Sequence, residues 1–203
     1  MSHAEFDPYT AKAQNDDVTP QQKITDLHTI VKSTSVGMMT SRAADGSLHS
    51  RAMAPAGLTE PTEVNLIFIA NKASWKFDEI TNDPHVNVSF YEHSSTNWAS
   101  YSGQVKVITD KSVIKKHWNP LVSAWFGDLG DGLHKGDESD PRVVVIELVP
   151  DEVRYWISKS SKIGRAIDVA VGAMTGKTAV PGELRTITKA EIQLTQGLHS
   201  KAA

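Results

Sequence analysis

Period-two alternation recurs along most of this chain, and it narrows the available folds more than any other feature. Ser35 to Ser41 reads as a strand, Asp45-Gly46 as a tight hairpin turn, and Leu48 to Ala54 as the return strand. Val64 to Ala70 is a third, nearly continuous apolar strand. Val86, Val88 and Phe90 alternate with polar residues in a fourth. Trp98 to Thr109 makes a fifth, with Gly103 marking a bulge. Val143 to Val149, continued by Val153 to Ile157 beyond Pro150, makes a sixth. These strands are not interleaved with helices as βαβ units are. The expectation is a mainly β (α+β) domain, a six-stranded antiparallel barrel with peripheral helices.

The helices announce themselves by their caps. Thr19 is an N-cap, Pro20 takes the first helical position, Gln22 completes a capping box, and Ile24, Leu27, Ile30 and Val31 form one apolar face. A short helix runs from about Ser74 to Thr81 and stops at Asn82-Asp83-Pro84. Asp110 caps Lys111 to Trp118, and a helical piece around Leu121 to Phe126 follows. Gly127 to Pro141 reads as a loop. Beyond Lys159 the pattern changes to a weak helix through Ile163, Ile167, Val171 and Met174. Gly- and Pro-punctuated coil comes next, then a helix capped by Thr188 with Glu191. The organisation expected is a disordered segment at 1–17, a barrel domain at 18–158, and an extension at 159–203 packed on the barrel or on a dimer.

Composition excludes several chemistries. The chain has 203 residues and no cysteine, which removes disulfides, thiolate catalysis and cysteine-based metal sites. The net charge of -3 opposes general binding to nucleic acid or anionic membranes, so any anion must meet a local cluster of cations. No apolar run approaches the roughly 18 residues of a membrane span, and the polar N-terminus lacks signal-peptide regions. A cytoplasmic protein is expected. The eight histidines form no HExxH-like pair, and no G-x-S-x-G elbow occurs. Asp128 to Asp140 lacks the ligand order of an EF-hand. Gly172 to Thr178 ends in the letters of a P-loop but follows a helical pattern with its first glycine one residue too close.

One segment does point to chemistry. Phe68-Ile69-Ala70-Asn71-Lys72-Ala73-Ser74-Trp75-Lys76 carries a buried strand through a polar turn into a helix, where free amide N–H groups and the helix dipole favour an anion. Lys72 and Lys76 flank that turn. Arg51 shares a strand face with His49 and Met53. If the second and third strands are neighbours, Arg51 projects toward the same helix start. A guanidinium, a hydroxyl and an ammonium together suit a phosphate monoester. Each residue also has a plainer reading, with Ser74 as a cap, the lysines as solvated charges and Arg51 as a surface ion pair.

The residue pattern resembles the pyridoxamine 5'-phosphate oxidase-like split barrels that bind flavin mononucleotide (FMN). It looks closest to their general-stress-protein branch, which includes the fungal blue-light-induced proteins. The resemblance spans roughly Thr19 to Ile157 and rests on Ser50-Arg51-Ala52-Met53, Phe68 to Lys76, Asn82-Asp83-Pro84-His85-Val86, Gly103-Gln104-Val105 and Tyr155-Trp156. It implies that the barrel is split and that Arg51, Ser74 and Lys76 hold the flavin phosphate, with Trp75 where the oxidases carry arginine. It implies that Arg51, Ala52 and Met53, with Phe68, Ile69 and Ala70, line the isoalloxazine. It also implies that Trp156 approaches the ring from the second subunit of a homodimer. Trp98 stands where the oxidases place a flavin-contacting glutamine, and Ala70 replaces a threonine. After Trp156 no arginine-histidine substrate motif follows, so oxidation of pyridoxamine phosphate is not expected. What remains is a flavin-dependent oxidoreductase of unknown substrate, or an FMN carrier or stress sensor without turnover. A phosphate cluster disfavours haem, which offers carboxylates and wants an axial ligand, but a deazaflavin also carries phosphate.

Overall fold

The computed structural model describes residues 7–200, apart from residues 16, 59, 160, 161 and 177. Its centre is one curled antiparallel sheet. The strands are β1 (Gly37–Arg42), β2 (Leu48–Met53), β3 (Leu66–Asn71), β4 (His85–Tyr91), β5 (Trp98–Ile108), β6 (Val143–Ser158) and β7 (Gly182–Thr188). Their order is β2-β1-β4-β5-β6-β3, with β7 also on β6. Six strands therefore form the half-barrel that the alternation predicts. The helices α1 (Pro8–Ala13), α2 (Pro20–Thr34), α3 (Lys76–Asn82), α4 (Lys111–His117), α5 (Lys162–Thr175) and α6 (Lys189–Ser200) lie around it. Among the described residues no helix is long and apolar enough to cross a membrane.

The inward positions of the sheet build the main core, including Met39, Val88, Tyr101 and Val153. They fall in one row of the ladders because residues directly opposite one another share a face. Ile24, Leu27, Ile30 and Val31 of α2 cap that row, as the helical spacing predicts. A smaller cluster of Ile67, Val143, Val145, Ile114 and Phe126 fills the other side of β3 and β6 beneath α4.

Four features differ from the sequence reading. The second and third strands are not neighbours, since β2 and β3 hold opposite ends of the order. The curl of the sheet brings the ends together, and the Ala56 N–H donates to the Ile67 C=O at 2.7 Å. The Gln22 side chain does not complete a capping box. Thr19 Oγ1 accepts the Gln22 N–H at 3.3 Å, but the Gln22 amide turns to Asp26 at 2.9 Å. Within the N-terminal segment read as disordered, residues 1–6 and 16 lie outside the described residues, but Pro8–Ala13 form α1 with Asp7 as N-cap.

Finally, a strand, β7, stands where coil was read. Its inward residues are Glu183, Arg185 and Ile187, so the alternation is disguised by two buried charges. Those charges neutralise each other. Arg185 Nε donates to Glu183 Oε2 at 3.1 Å, Arg185 also pairs with Asp26 of α2, and Glu183 accepts from Asn15 at 2.7 Å and from Lys159. The capping box of Thr188 and Glu191 does form, with the Thr188 N–H on Glu191 Oε2 at 2.8 Å. Glu191 Oε1 also accepts from the buried Lys23 at 2.8 Å, tying α6 to α2.

Gly103 permits the tightest crossing. The β5–β6 register shifts there, and a Cβ on Gly103 would lie 2.2 Å from the Val149 carbonyl oxygen. Main chain cannot yield as a flexible side chain does. Gly103→Ala should therefore destabilise the fold by about 2 kcal/mol and lower Tm by about 4–8 °C in a thermal melt. Burial raises the Glu183 carboxyl, but hydrogen bonds from Lys159, Arg185 and Asn15 outweigh it and hold the pKa at about 2. The stabilisation this provides is complete above the unfolded value of 4.5 and is lost as pH falls toward about 2. Denaturant midpoints should fall across that window, and Glu183→Gln should flatten the dependence.

Candidate functional site

The turn from β3 into α3 is built by Asn71. Its side-chain oxygen accepts the Ala73 N–H at 2.9 Å, and its carbonyl accepts both the Ser74 N–H at 3.1 Å and the Ser74 hydroxyl at 2.8 Å. Ser74 thus does not cap the helix. Trp75 occupies the N-cap position, in helical geometry and 86% exposed. With its proton committed to Asn71, the Ser74 oxygen accepts from Lys76 Nζ at 2.6 Å. Lys76 is half-buried, and its ammonium lies 5.6 Å from the Phe77 ring centroid. Burial pushes the Lys76 pKa down, the charge of Arg51 pushes it further, and Glu79 pulls the other way. Lys76 and Arg51 therefore share one electrostatic rim.

Arg51 reaches that rim from β2. It lies opposite Met39 on the inward face, and His49 lies opposite Ser41 on the same face. Beyond the end of the core these side chains meet α3. Arg51 Nη2 donates to Glu79 Oε2 at 2.5 Å, its Nη1 donates to the Ser41 hydroxyl, and that hydroxyl donates to Glu79. His49 Nδ1 is 2.6 Å from Glu79 Oε1. Burial raises the Glu79 carboxyl, yet these three partners and the Arg51 charge together lower its pKa to about 2. Glu79 and Ser41 are the residues that the sequence reading passes over. The signal for Glu79 is its place one helical turn after Lys76. The signal for Ser41 is the hairpin register, which sets it across from His49.

Ala52 and Met53 continue β2 toward the free edge of β3. Phe68 and Ala70 turn their side chains into the main core, while Ile69 packs on the smaller cluster. These three residues can therefore meet a ligand through main-chain groups. Because the Ile67 carbonyl faces Ala56, strand alternation turns the main chain of Ile69 toward the same open edge.

Trp98 and Trp156 are elsewhere. They sit opposite each other on β5 and β6, three residues out of phase with the inward Tyr101, and hence on the outer face. Trp156 is buried beneath Tyr9 of α1, the rings stacked at 5.7 Å, and against Gly182, where a Cβ would come within 2.6 Å of the indole. One chain thus gathers Arg51, Ser74 and Lys76, flanks them with Ala52, Met53 and residues 68–70, and leaves the tryptophan pair apart.

Known proteins share this architecture. Residues 22–180 match the family described as pyridoxamine 5'-phosphate oxidase like. Protein bli-3 of Neurospora crassa is 41% identical over 194 residues, covering 95% of this chain and 92% of that protein. General Stress Protein 26 from Bacillus anthracis str. Sterne superposes with a TM-score of 0.53 at 24% identity, over 66% of this chain and 92% of that one. A pyridoxamine 5'-phosphate oxidase-related, FMN binding protein from Nostoc punctiforme superposes at 0.51 with 14% identity, over 70% and 90% of the two chains. A match over most of the chain, joined to a relative alike along nearly its whole length, places this protein in the pyridoxamine 5'-phosphate oxidase-like family.

Proposed function

We propose that this chain is an FMN-binding split-barrel protein in which Arg51, Ser74 and Lys76 hold the flavin phosphate. The carrying observation is the convergence of two cations on one hydroxyl-bearing rim, where the Lys76 ammonium is already disfavoured by burial and by Arg51. A phosphate dianion would relieve that strain through charge-assisted bonds. The fit extends along the free edge of β3, where Ile69 offers main-chain groups and the chain that follows Met53 comes alongside at Ala56. Trp75 stands exposed beside the phosphate residues.

When bound, FMN supplies the electron chemistry of an oxidoreductase. The protein's share is to bind the phosphate, orient the ring along β3 and shield one side of it. Trp98 and Trp156, placed on the outer face, suit a homodimer in which they approach the flavin of the other copy. The lack of cysteine is compatible with a cytoplasmic setting. A flavin carrier or redox sensor is the second reading. It is favoured by the engagement of His49 Nδ1, on the ionisable side chain beside the cluster, with Glu79.

The purified protein should show the visible bands of an oxidised flavin, or acquire them on addition of FMN. Rapid bleaching by reduced nicotinamide cofactor under anaerobic conditions supports the oxidoreductase, and a stable spectrum supports the carrier. A colourless protein that ignores added FMN overturns both. Arg51→Ala and Lys76→Ala should each weaken FMN binding by about 10- to 100-fold in a fluorescence titration, the equivalent of roughly 1.5–3 kcal/mol per charge-assisted bond. Unchanged affinity in both variants rules out the phosphate site.

A further inference from the structure

We propose that Glu79 is the resident counter-ion of the anion rim, competing with a phosphate monoester for Arg51 and so keeping flavin binding reversible. The inference rests on the phosphate site proposed above, and concerns what occupies Arg51 when no ligand does. Arg51 is not an idle cation. Its two terminal nitrogens are engaged by Glu79 and by Ser41, and Ser41, itself buried, hands its proton to the same carboxylate. His49 completes the set at the other oxygen. The carboxylate is only 11% exposed, against 23% for Arg51, so it sits deeper than the guanidinium and can shed little charge to water.

The charges then decide the balance. Arg51 and Lys76 bring two positive charges and Glu79 removes one. A phosphate monoester near neutral pH brings about -1.5 to -2. A ligand that takes up Arg51 must share it with a carboxylate held a hydrogen bond away, or displace that carboxylate and strand it almost buried. Lys76, by contrast, has only a neutral hydroxyl as hydrogen-bond partner among the described residues, and is the cation the ligand meets freely. Flavin affinity is therefore set by a contest at Arg51 more than by contact at Lys76. A glutamine at position 79 keeps the shape, with its carbonyl oxygen for Arg51 and Ser41 and its NH2 donating to an unprotonated His49 Nδ1, while removing the competing charge.

The test is a titration of the full-length protein with FMN and with riboflavin, which lacks the phosphate. Glu79→Gln should bind FMN about tenfold more tightly, the order expected for removing one partly screened charge beside a bound dianion. Its riboflavin affinity should match the wild type. High salt should shrink the difference, and the gain should vanish in the Arg51→Ala background. Without ligand, Glu79→Gln should melt below the wild type. Glu79→Asp, which keeps the charge but withdraws it from Arg51 by one methylene, should fall between the two and serves if the glutamine variant does not fold. FMN binding that is equal or weaker in both Glu79 variants, while Arg51→Ala and Lys76→Ala still weaken it, overturns this inference and leaves the phosphate site standing. No effect from Arg51→Ala and Lys76→Ala overturns both.

Discussion

The close approach of β5 to β6 at Gly103 is the constraint from which the rest of the architecture follows. The register shift there lets β5 stay paired with β6 along its whole length while the sheet bends around the core. β6 spends its first half between β3 and β5 and its second half between β5 and β7. That division sends β3 to one end of the sheet and frees its outer edge. The curl then carries β2, at the other end of the order, around to face that edge through Ala56 and Ile67. The candidate site lies in this closure. Its residues come from the two ends of the sheet and from the helix that follows β3, and no ladder connects them.

Two buried charge clusters stabilise the assembly by different means. The Asp26–Glu183–Arg185 group, with Lys159 and Asn15, locks β7 and the chain ahead of α2 onto the inward face. Its charges meet protein partners on several sides, which is the condition under which buried ions do not undermine a fold. The Ser41–His49–Arg51–Glu79 group is built similarly but ends at an open rim beside Lys76. The first closes on itself. The second, counted with Lys76, leaves one positive charge next to an exposed strand edge, and that asymmetry makes it the candidate for binding.

Much of this was legible in the sequence, and the failures share a cause. The strands with apolar inward faces, the Asp45-Gly46 hairpin, the Gly103 bulge and the Thr188–Glu191 box all follow from local rules. β7 was missed because Glu183 and Arg185 occupy inward positions that pattern rules reserve for apolar residues. Their mutual pairing and the tertiary positions of Asp26, Asn15 and Lys159 make those charges tolerable. Arg51 reaches the start of the helix after β3 through closure of the barrel, and not through adjacency of strands two and three, which the sequence suggests. Glu79 is not legible, because a glutamate on a short exposed-looking helix carries no local mark of the three donors that converge on it.

Trp98 and Trp156 form one pair across β5 and β6, and Tyr9 stacks on Trp156 from a helix that precedes the segment matching the family. A tryptophan at position 98 cannot hydrogen-bond a flavin ring as the glutamine it replaces does; it offers area and a single N–H donor. Ala70, buried where a threonine is usual, likewise presents main chain only. On the proposed function, Ala70 would meet the ring through backbone alone, and Trp98, on the outer face, would meet only the flavin of a second copy, by stacking. On the same proposal, a ligand held that way would depend on its phosphate for orientation, and the Arg51–Glu79 balance would govern how firmly the whole molecule is held.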